Sequence, residues 1–232
     1  MNFKKLILIA ATAALVTGAL AQGGGGFGQG RRGGFGPGGD PVQMTGREDV
    51  QKDLALTDDQ KTKLSELREK VQQKRQEAMQ AAREAAGDDR EAMMKAMQTT
   101  MAKLTEENTA AVNAILTPEQ AKRLKEITVQ FVGVRIVTTN KAIAKELAIT
   151  DEQKAKFDDL NKRQQTAMQE TFQKIQNGEI ERSQMQEIMT KNNKIMDEEI
   201  NKVLTDAQKA KLKEMGGKPF TRVDAPPPGG GF

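Results

Sequence analysis

The sequence has no cysteine, histidine, tryptophan or tyrosine, and only 3% of its 232 residues are aromatic. Without cysteine there is no disulfide and no thiol nucleophile. Without histidine there is no imidazole base, and the usual zinc and copper ligands are missing. The two serines, Ser65 and Ser183, have no histidine to activate them. We therefore predict a protein that is not an enzyme and that binds no metal or cofactor.

The charge of the chain is nearly balanced. Lysine and arginine number 36 against 32 for aspartate and glutamate, which leaves a net charge of +4. Part of this small excess comes from Lys4 and Lys5, close to the N-terminus. Such a balance argues against nucleic acid or an anionic membrane as the main partner.

Residues 1–21 have the pattern of a secretory signal peptide. Lys4 and Lys5 precede an apolar stretch from Leu6 to Val16, and the small-residue sequence Ala19-Leu20-Ala21 forms a cleavage site. The apolar stretch is shorter than the roughly 20 residues that a membrane-spanning helix needs. We expect cleaved export without stable membrane insertion, and a periplasmic location, with release to the medium as the alternative.

Composition divides the exported chain into three parts. Residues 22–46 are rich in glycine and residues 218–232 in proline and glycine, and we predict that both segments are disordered because they cannot bury enough apolar surface. Strong helix formers dominate the region between them, residues 47–217, in which Pro118 is the one proline. This region is predicted to be all-α.

One short motif occurs four times in the helical region, at residues 56–60, 116–120, 149–153 and 204–208. Each copy has a leucine or isoleucine, then a threonine, then a glutamine three residues after the threonine. A threonine N-cap with a glutamine at this spacing predicts a helix start with a capping box. We expect the threonines and glutamines of the motif to be structural caps, each worth about 1 kcal/mol, and the preceding leucine or isoleucine to cover the corner with apolar surface. The motif residues are Leu56, Thr57, Gln60, Leu116, Thr117, Gln120, Ile149, Thr150, Gln153, Leu204, Thr205 and Gln208.

The spacing of the copies indicates an internal duplication. The first and third copies begin 93 residues apart and the second and fourth 88 residues apart, with matching flanks. We predict a first repeat over residues 47–139 and a second over residues 140–217. Each repeat should be a long antiparallel helical hairpin, with turns at Gly87 and at Asn177-Gly178. The returning helix of the first repeat carries a heptad seam formed by Met97, Met101, Leu104, Asn108, Ala111 and Ile115.

These motifs resemble those of the Spy/CpxP family of bacterial envelope proteins, and the resemblance covers about residues 47–215. It implies an ATP-independent periplasmic chaperone whose helical hairpins form a cradle-shaped dimer around unfolded or misfolded proteins. CpxP-like members also act on an envelope-stress sensor kinase. This chain differs from the short family members because it carries two units in tandem. We therefore hypothesise that one polypeptide forms a monomeric pseudo-dimer, with an array of independent hairpins or a homo-oligomer as the alternatives.

Two groups of side chains are candidates for contact with clients. Methionine adapts to many partners, and basic side chains speed encounter. The alternative interpretation is that the methionines form core and the basic residues a solvated helix face. The candidates are Met93, Met94, Met97, Met185 and Met189, with Arg75, Arg83 and Arg90.

The sequence leaves two other functions open. The chain could be a regulatory protein that binds the periplasmic domain of a sensor kinase, or a structural protein whose glycine-rich ends mediate assembly. A chaperone should suppress the aggregation of several unrelated proteins, whereas a regulator should bind one partner and ignore denatured proteins. A structural protein should depend on residues 22–41 and 218–232.

Overall fold

The computed structural model describes residues 39–87 and 89–221, and in these ranges the chain is helical without any strand. The predicted all-α fold is confirmed. The α-helices of the described ranges are α1 (Pro41–Met44), α2 (Glu48–Asp53), α3 (Asp58–Ala86), α4 (Arg90–Ile115), α5 (Pro118–Val132), α6 (Ile136–Thr139), α7 (Lys141–Glu146), α8 (Asp151–Gln176), α9 (Met185–Val203) and α10 (Asp206–Met215). Short 3-10 turns at Gly133–Arg135 and Arg182–Gln184 precede α6 and α9. The predicted signal peptide lies outside the described residues.

The described residues form two compact units. The first unit comprises residues 39–133 and 212–221, and the second comprises residues 134–211. The first unit contains the hairpin of α3 and α4, and the second contains the hairpin of α8 and α9.

The four motif copies begin helices as predicted. In the first copy, Gln60 N donates to Thr57 Oγ1 at 3.2 Å, and Thr57 N donates to Gln60 Oε1 at 3.1 Å. The same reciprocal pair of bonds precedes α5, α8 and α10. Each capping box satisfies backbone groups that the first turn of a helix leaves without partners. The predicted caps are confirmed.

Apolar side chains of α2, α3, α4 and α5 form the core of the first unit. The helices α3 and α4 run antiparallel, since Gln60 contacts Ile115 while Lys74 contacts Glu107. The buried residues of this core include Val50, Leu54, Leu56, Leu64, Val71, Val112, Leu116, Leu124 and Ile127.

The predicted heptad seam on α4 is only partly correct. Leu104 and Asn108 of the predicted seam are buried, but Ala111 is only half-buried. Val112, which is not part of the predicted seam, is buried in the core of the first unit. A helix that keeps 3.6 residues per turn moves its buried stripe away from a strict seven-residue repeat. The larger side chain of Val112 therefore fills the core.

The second unit repeats this arrangement. Gln153 contacts Val203 and Gln164 contacts Asn193, so α8 and α9 are antiparallel. Phe157 and Leu160 on α8 are buried, as are Met196 and Ile200 on α9. The turn between the two helices includes Gly178 with a φ of 75°, in agreement with the predicted Asn177-Gly178 turn.

The prediction that disorder extends to residue 46 is wrong for residues 40–46. Asp40 accepts a hydrogen bond from Val42 N at 2.9 Å, and Pro41 occupies the first turn of α1. Val42 and Met44 then join the core of the first unit. A few apolar side chains thus order the end of a segment whose composition is otherwise poor in them. The preceding glycine-rich residues, up to residue 38, lie outside the described residues.

The predicted disorder of the tail from residue 218 is also wrong at its start. Residues 216–220, which we call the C-terminal strap, lie along α5 in the first unit. Phe220 packs against the apolar core of that unit. The strap is ordered by contacts with a segment that is distant in sequence, and composition does not reveal such contacts. Residues 222–232 lie outside the described residues.

Candidate functional site

The motif glutamines pair across the base of each hairpin as well as capping their own helices. In the first unit, Gln60 Nε2 donates to Gln120 Oε1 at 2.7 Å, and Gln120 Nε2 donates to Gln60 Oε1 at 3.1 Å. Gln60 Nε2 also donates to the Ile115 carbonyl and Gln120 Nε2 to the Leu54 carbonyl. We call this arrangement the first glutamine clasp. It joins the ends of α2 and α4 to the beginnings of α3 and α5.

The second unit contains an equivalent clasp. Gln153 Nε2 and Gln208 Nε2 each donate to the other side chain's oxygen, at 2.8 and 2.9 Å. Gln153 Nε2 also donates to the Val203 carbonyl at 2.9 Å, and Gln208 Nε2 to the Leu147 carbonyl at 3.3 Å. The sequence predicted local caps and missed this pairing. The four motif glutamines fall into two pairs, one pair in each repeat, and this pattern was the signal that could have predicted the clasps.

An alanine with a positive φ precedes the first motif of each repeat. Ala55 has a φ of 47° and Ala148 a φ of 50°. At each corner the amide three residues beyond the last helical residue donates back to a carbonyl of the helix, as in Leu56 N to Gln51 O at 3.1 Å and Ile149 N to Ala144 O at 3.0 Å. These left-handed residues turn the chain so that the motif threonine can begin the next helix.

A polar cluster holds the beginning of the second unit to α9. Arg135 Nη1 donates to Asn193 Oδ1 at 3.0 Å, and Arg135 Nε lies 2.9 Å from Asp197 Oδ1. Burial of Asp197 outweighs the opposing effect of Arg135 and raises the pKa of Asp197 above its ordinary value.

The structure divides the predicted client-contact residues into different environments. Arg75 pairs with Asp40, which is only 4% exposed, and so it has a structural partner within the first unit. Arg83 is exposed, and Met93, Met185 and Met189 are half-buried. The side chains of Met94, Met97 and Arg90 lie outside the described residues.

Sequence reasoning missed the two large apolar side chains that are the most prominent on the described surface. Met79 on α3 is 40% exposed and Phe172 on α8 is 42% exposed. They are 93 residues apart, the same spacing that relates the first and third motif copies. The duplication has therefore placed an exposed apolar side chain at the same position of each long helix, and the repeat spacing could have revealed this.

Glutamines surround both side chains in the same order. Because each residue turns an α-helix by about 100°, positions separated by four, seven, eight and eleven residues share a face. We call these surfaces the first and second amide–apolar faces. The first consists of Gln72, Gln76, Met79, Gln80 and Arg83, and the second of Gln165, Gln169, Phe172, Gln173 and Gln176. All of these residues are exposed except Gln165, which is half-buried.

The composition of the two faces determines what they can bind. Apart from Arg83 they carry no charge. Each glutamine side chain offers both donors and an acceptor to a polypeptide backbone. Met79 and Phe172 offer apolar surface, through a flexible thioether in one face and a rigid ring in the other. Neither face contains a nucleophile or a general base.

The described part of the chain provides neither a metal site nor a membrane span. No group of three or more acidic side chains is arranged there to hold a metal ion. No helix in residues 39–87 and 89–221 is both long and apolar enough to cross a bilayer.

Comparison with known proteins gives one similarity. A family model described as a domain of unknown function (DUF4890) matches residues 27–124, which contain the first two motif copies. This segment is less than half of the chain. No curated protein and no solved structure matches the sequence.

Proposed function

We propose that this protein is an exported, ATP-independent chaperone-like protein that binds unfolded or misfolded proteins of the bacterial envelope. The pattern of a signal peptide, the resemblance of the motifs to the Spy/CpxP family and the lack of cysteine and histidine support this proposal. A protein with these properties acts by contact with other proteins.

The observation that carries the proposal is the repetition of the amide–apolar face. Met79 and Phe172 are exposed at equivalent positions, each beside glutamines at matching positions. A single exposed apolar side chain is common on a protein surface and does not by itself indicate a binding site. Its presence on both repeats, on a helix face directed away from the core, favours a role in binding.

The mechanism follows from the chemistry of the two faces. An unfolded protein exposes apolar side chains together with backbone groups that lack partners. Met79 and Phe172 contact the apolar side chains, and the surrounding amides form hydrogen bonds with the backbone, which is the same in every sequence. Arg83 adds attraction for acidic clients. Binding of this kind is broad in specificity and weak at each contact, so clients leave without ATP hydrolysis.

The test is a client-aggregation assay with the mature chain. The wild-type protein should suppress the aggregation of several unrelated denatured proteins at near-stoichiometric amounts. The double variant Met79→Gln/Phe172→Gln loses the apolar contacts, and about threefold or more protein should be needed for the same suppression. Both positions are exposed, so the variant should retain its helical content by circular dichroism.

The matched control is Lys63→Gln/Lys156→Gln. These exposed lysines are also 93 residues apart, on the same two helices but on the opposite side from the amide–apolar faces. The control should suppress aggregation as the wild type does. Equal suppression by the wild type and the Met79→Gln/Phe172→Gln variant would contradict the proposed role of the two faces.

A further inference from the structure

The C-terminal strap is bound to α5 mainly through its backbone. Arg123 Nη1 and Gln130 Nε2 both donate to the Lys218 carbonyl, each at 2.7 Å. Gln130 Nε2 also donates to the Gly216 carbonyl, and Gln130 Oε1 accepts from Phe220 N at 2.8 Å. All these bonds join α5 side chains to backbone atoms of the strap. They would therefore form equally well with the backbone of another peptide.

Two residues of the strap, Phe220 and Gly217, add selectivity. Phe220 is partly buried and packs against the core of the first unit. Gly217 has a φ of 60°, which favours glycine, and a Cβ at this position would meet the Glu126 carboxylate. The surface along α5 thus accepts a glycine followed, three residues later, by an aromatic side chain.

Contacts outside the strap hold the peptide-contacting arginine in place. Asp53 accepts two hydrogen bonds from Arg123, at 2.6 and 3.0 Å from Nε and Nη2. The hydrogen bond to Asp53 is the main cause of a raised pKa at Arg123, and Glu126 adds to it against the effect of burial. The guanidinium is therefore fixed with Nη1 directed at the Lys218 carbonyl, and such preorganisation lowers the cost of binding.

The surface occurs in only one of the two repeats. At the spacing of 88 residues, Lys211 corresponds to Arg123, and it donates to the Glu146 carbonyl at 2.7 Å. The position that corresponds to Gln130 is Lys218, within the strap itself. Gln130 is thus a feature of the first repeat alone, although the capping motifs are common to both.

We propose that Arg123, Glu126 and Gln130 form a peptide-binding groove on α5, and that the C-terminal strap occupies this groove in competition with client segments. The clients are unfolded segments with a glycine three residues before an aromatic side chain. This inference rests on the proposed function for the identity of the competitor. A tethered strap competes at an effective concentration of about 1 mM, so the groove is filled until a stronger or more abundant segment displaces it.

The experiment measures binding of a fluorescently labelled peptide with the sequence of residues 215–222 to the full mature chain. Phe220→Ala removes the aromatic anchor of the strap and should raise the affinity for the peptide about tenfold or more above that of the wild type. Adding Gln130→Ala to Phe220→Ala removes the hydrogen bonds that Gln130 makes with the peptide backbone and should abolish this gain. A peptide with alanine in place of its phenylalanine should bind about tenfold more weakly.

A second peptide separates general recognition from recognition of the strap sequence. It keeps the glycine and the phenylalanine but replaces the other residues with serine and asparagine, and it should bind Phe220→Ala with similar affinity. Equal peptide binding by the wild type and Phe220→Ala would overturn the proposal. Concentration-dependent dimers of Phe220→Ala that exclude the peptide would also overturn it, because the occupant would then be a second copy.

Hydrogen exchange provides a measurement on the unmodified wild-type chain. Saturation with the second peptide should speed exchange at the Phe220 amide, which donates to Gln130. Unchanged exchange at saturation would overturn the proposal. Peptide binding by a chain that fails to suppress client aggregation would refute the proposed function and leave the groove established.

Discussion

Replacement of Gln60 by alanine tests whether the motif glutamines do more than cap helices. The side chain makes four hydrogen bonds, to Thr57 N, to the Ile115 carbonyl, and two with the amide of Gln120. A hydrogen bond contributes about 0.5–1.5 kcal/mol net. Because the clasp is only partly buried and water can replace some of these contacts, we expect Gln60→Ala to lower the free energy of unfolding by about 2–3 kcal/mol.

Two comparison variants make this expectation specific. Thr57→Ala removes the cap but leaves the clasp, and should cost about 1 kcal/mol. Gln73→Ala removes a glutamine from the exposed surface of α3, where it donates to Glu77, and should cost less than about 0.5 kcal/mol. The double variant Gln60→Ala/Gln120→Ala should cost about 1 kcal/mol less than the sum of the single changes, since each single change leaves the other amide without its partner.

The assay is urea unfolding followed by far-ultraviolet circular dichroism, because the chain has no tryptophan or tyrosine to report by fluorescence. The slope of each transition shows whether the variants unfold in the same manner as the wild type. The reasoning about the clasp is refuted if Gln60→Ala costs no more than Thr57→Ala, or if the two glutamine changes are additive.

Three further predictions concern the backbone and the charges. Ala55→Gly should raise the free energy of unfolding by about 0.5–1 kcal/mol in urea, since φ is 47° there; a loss would contradict the inferred strain. Burial raises the pKa of Asp197 against the effect of Arg135, so the stabilising contribution of this carboxyl is present below pH 3.8 and is lost as the pH rises through the folded-state pKa. The free energy of unfolding of Asp197→Asn should therefore increase relative to that of the wild type over this rise in pH. A relative decrease, measured by urea unfolding, would contradict the prediction. The hydrogen bond from Lys61 lowers the pKa of Asp58, so Asp58→Asn should reduce stability at neutral pH, with a cost that disappears as acid protonates the wild-type carboxylate, and a pH-independent cost would point to another cause.

The helix starts could be predicted because their causes lie within four residues. Thr57 and Gln60 form their capping box locally, and Pro118 suits the first turn of α5 in any surroundings. The hairpin turns at Gly87 and Gly178 have the same local character, with positive φ angles that favour glycine.

The features that could not be predicted depend on residues distant in sequence. Asp40 is buried against Arg75, and Gln130 binds the strap that follows residue 215. Composition indicates disorder at both segments because it measures apolar content within a window. A single buried Met44 or Phe220 is enough to order several neighbouring residues once the surface that receives it exists.

The distance between the clasp and the amide–apolar face separates stability from binding. Gln60 and Met79 lie on the same continuous helix, nineteen residues apart, which corresponds to about 28 Å at 1.5 Å per residue. A change at Gln60 therefore affects the face only through the population of folded protein. Conversely, Met79 is exposed and takes no part in the core. Gln60→Ala should thus suppress aggregation normally per folded molecule, while Met79→Gln should unfold normally and suppress poorly. If both variants lost suppression in proportion to their loss of stability, the binding surface would have to lie at the hairpin base.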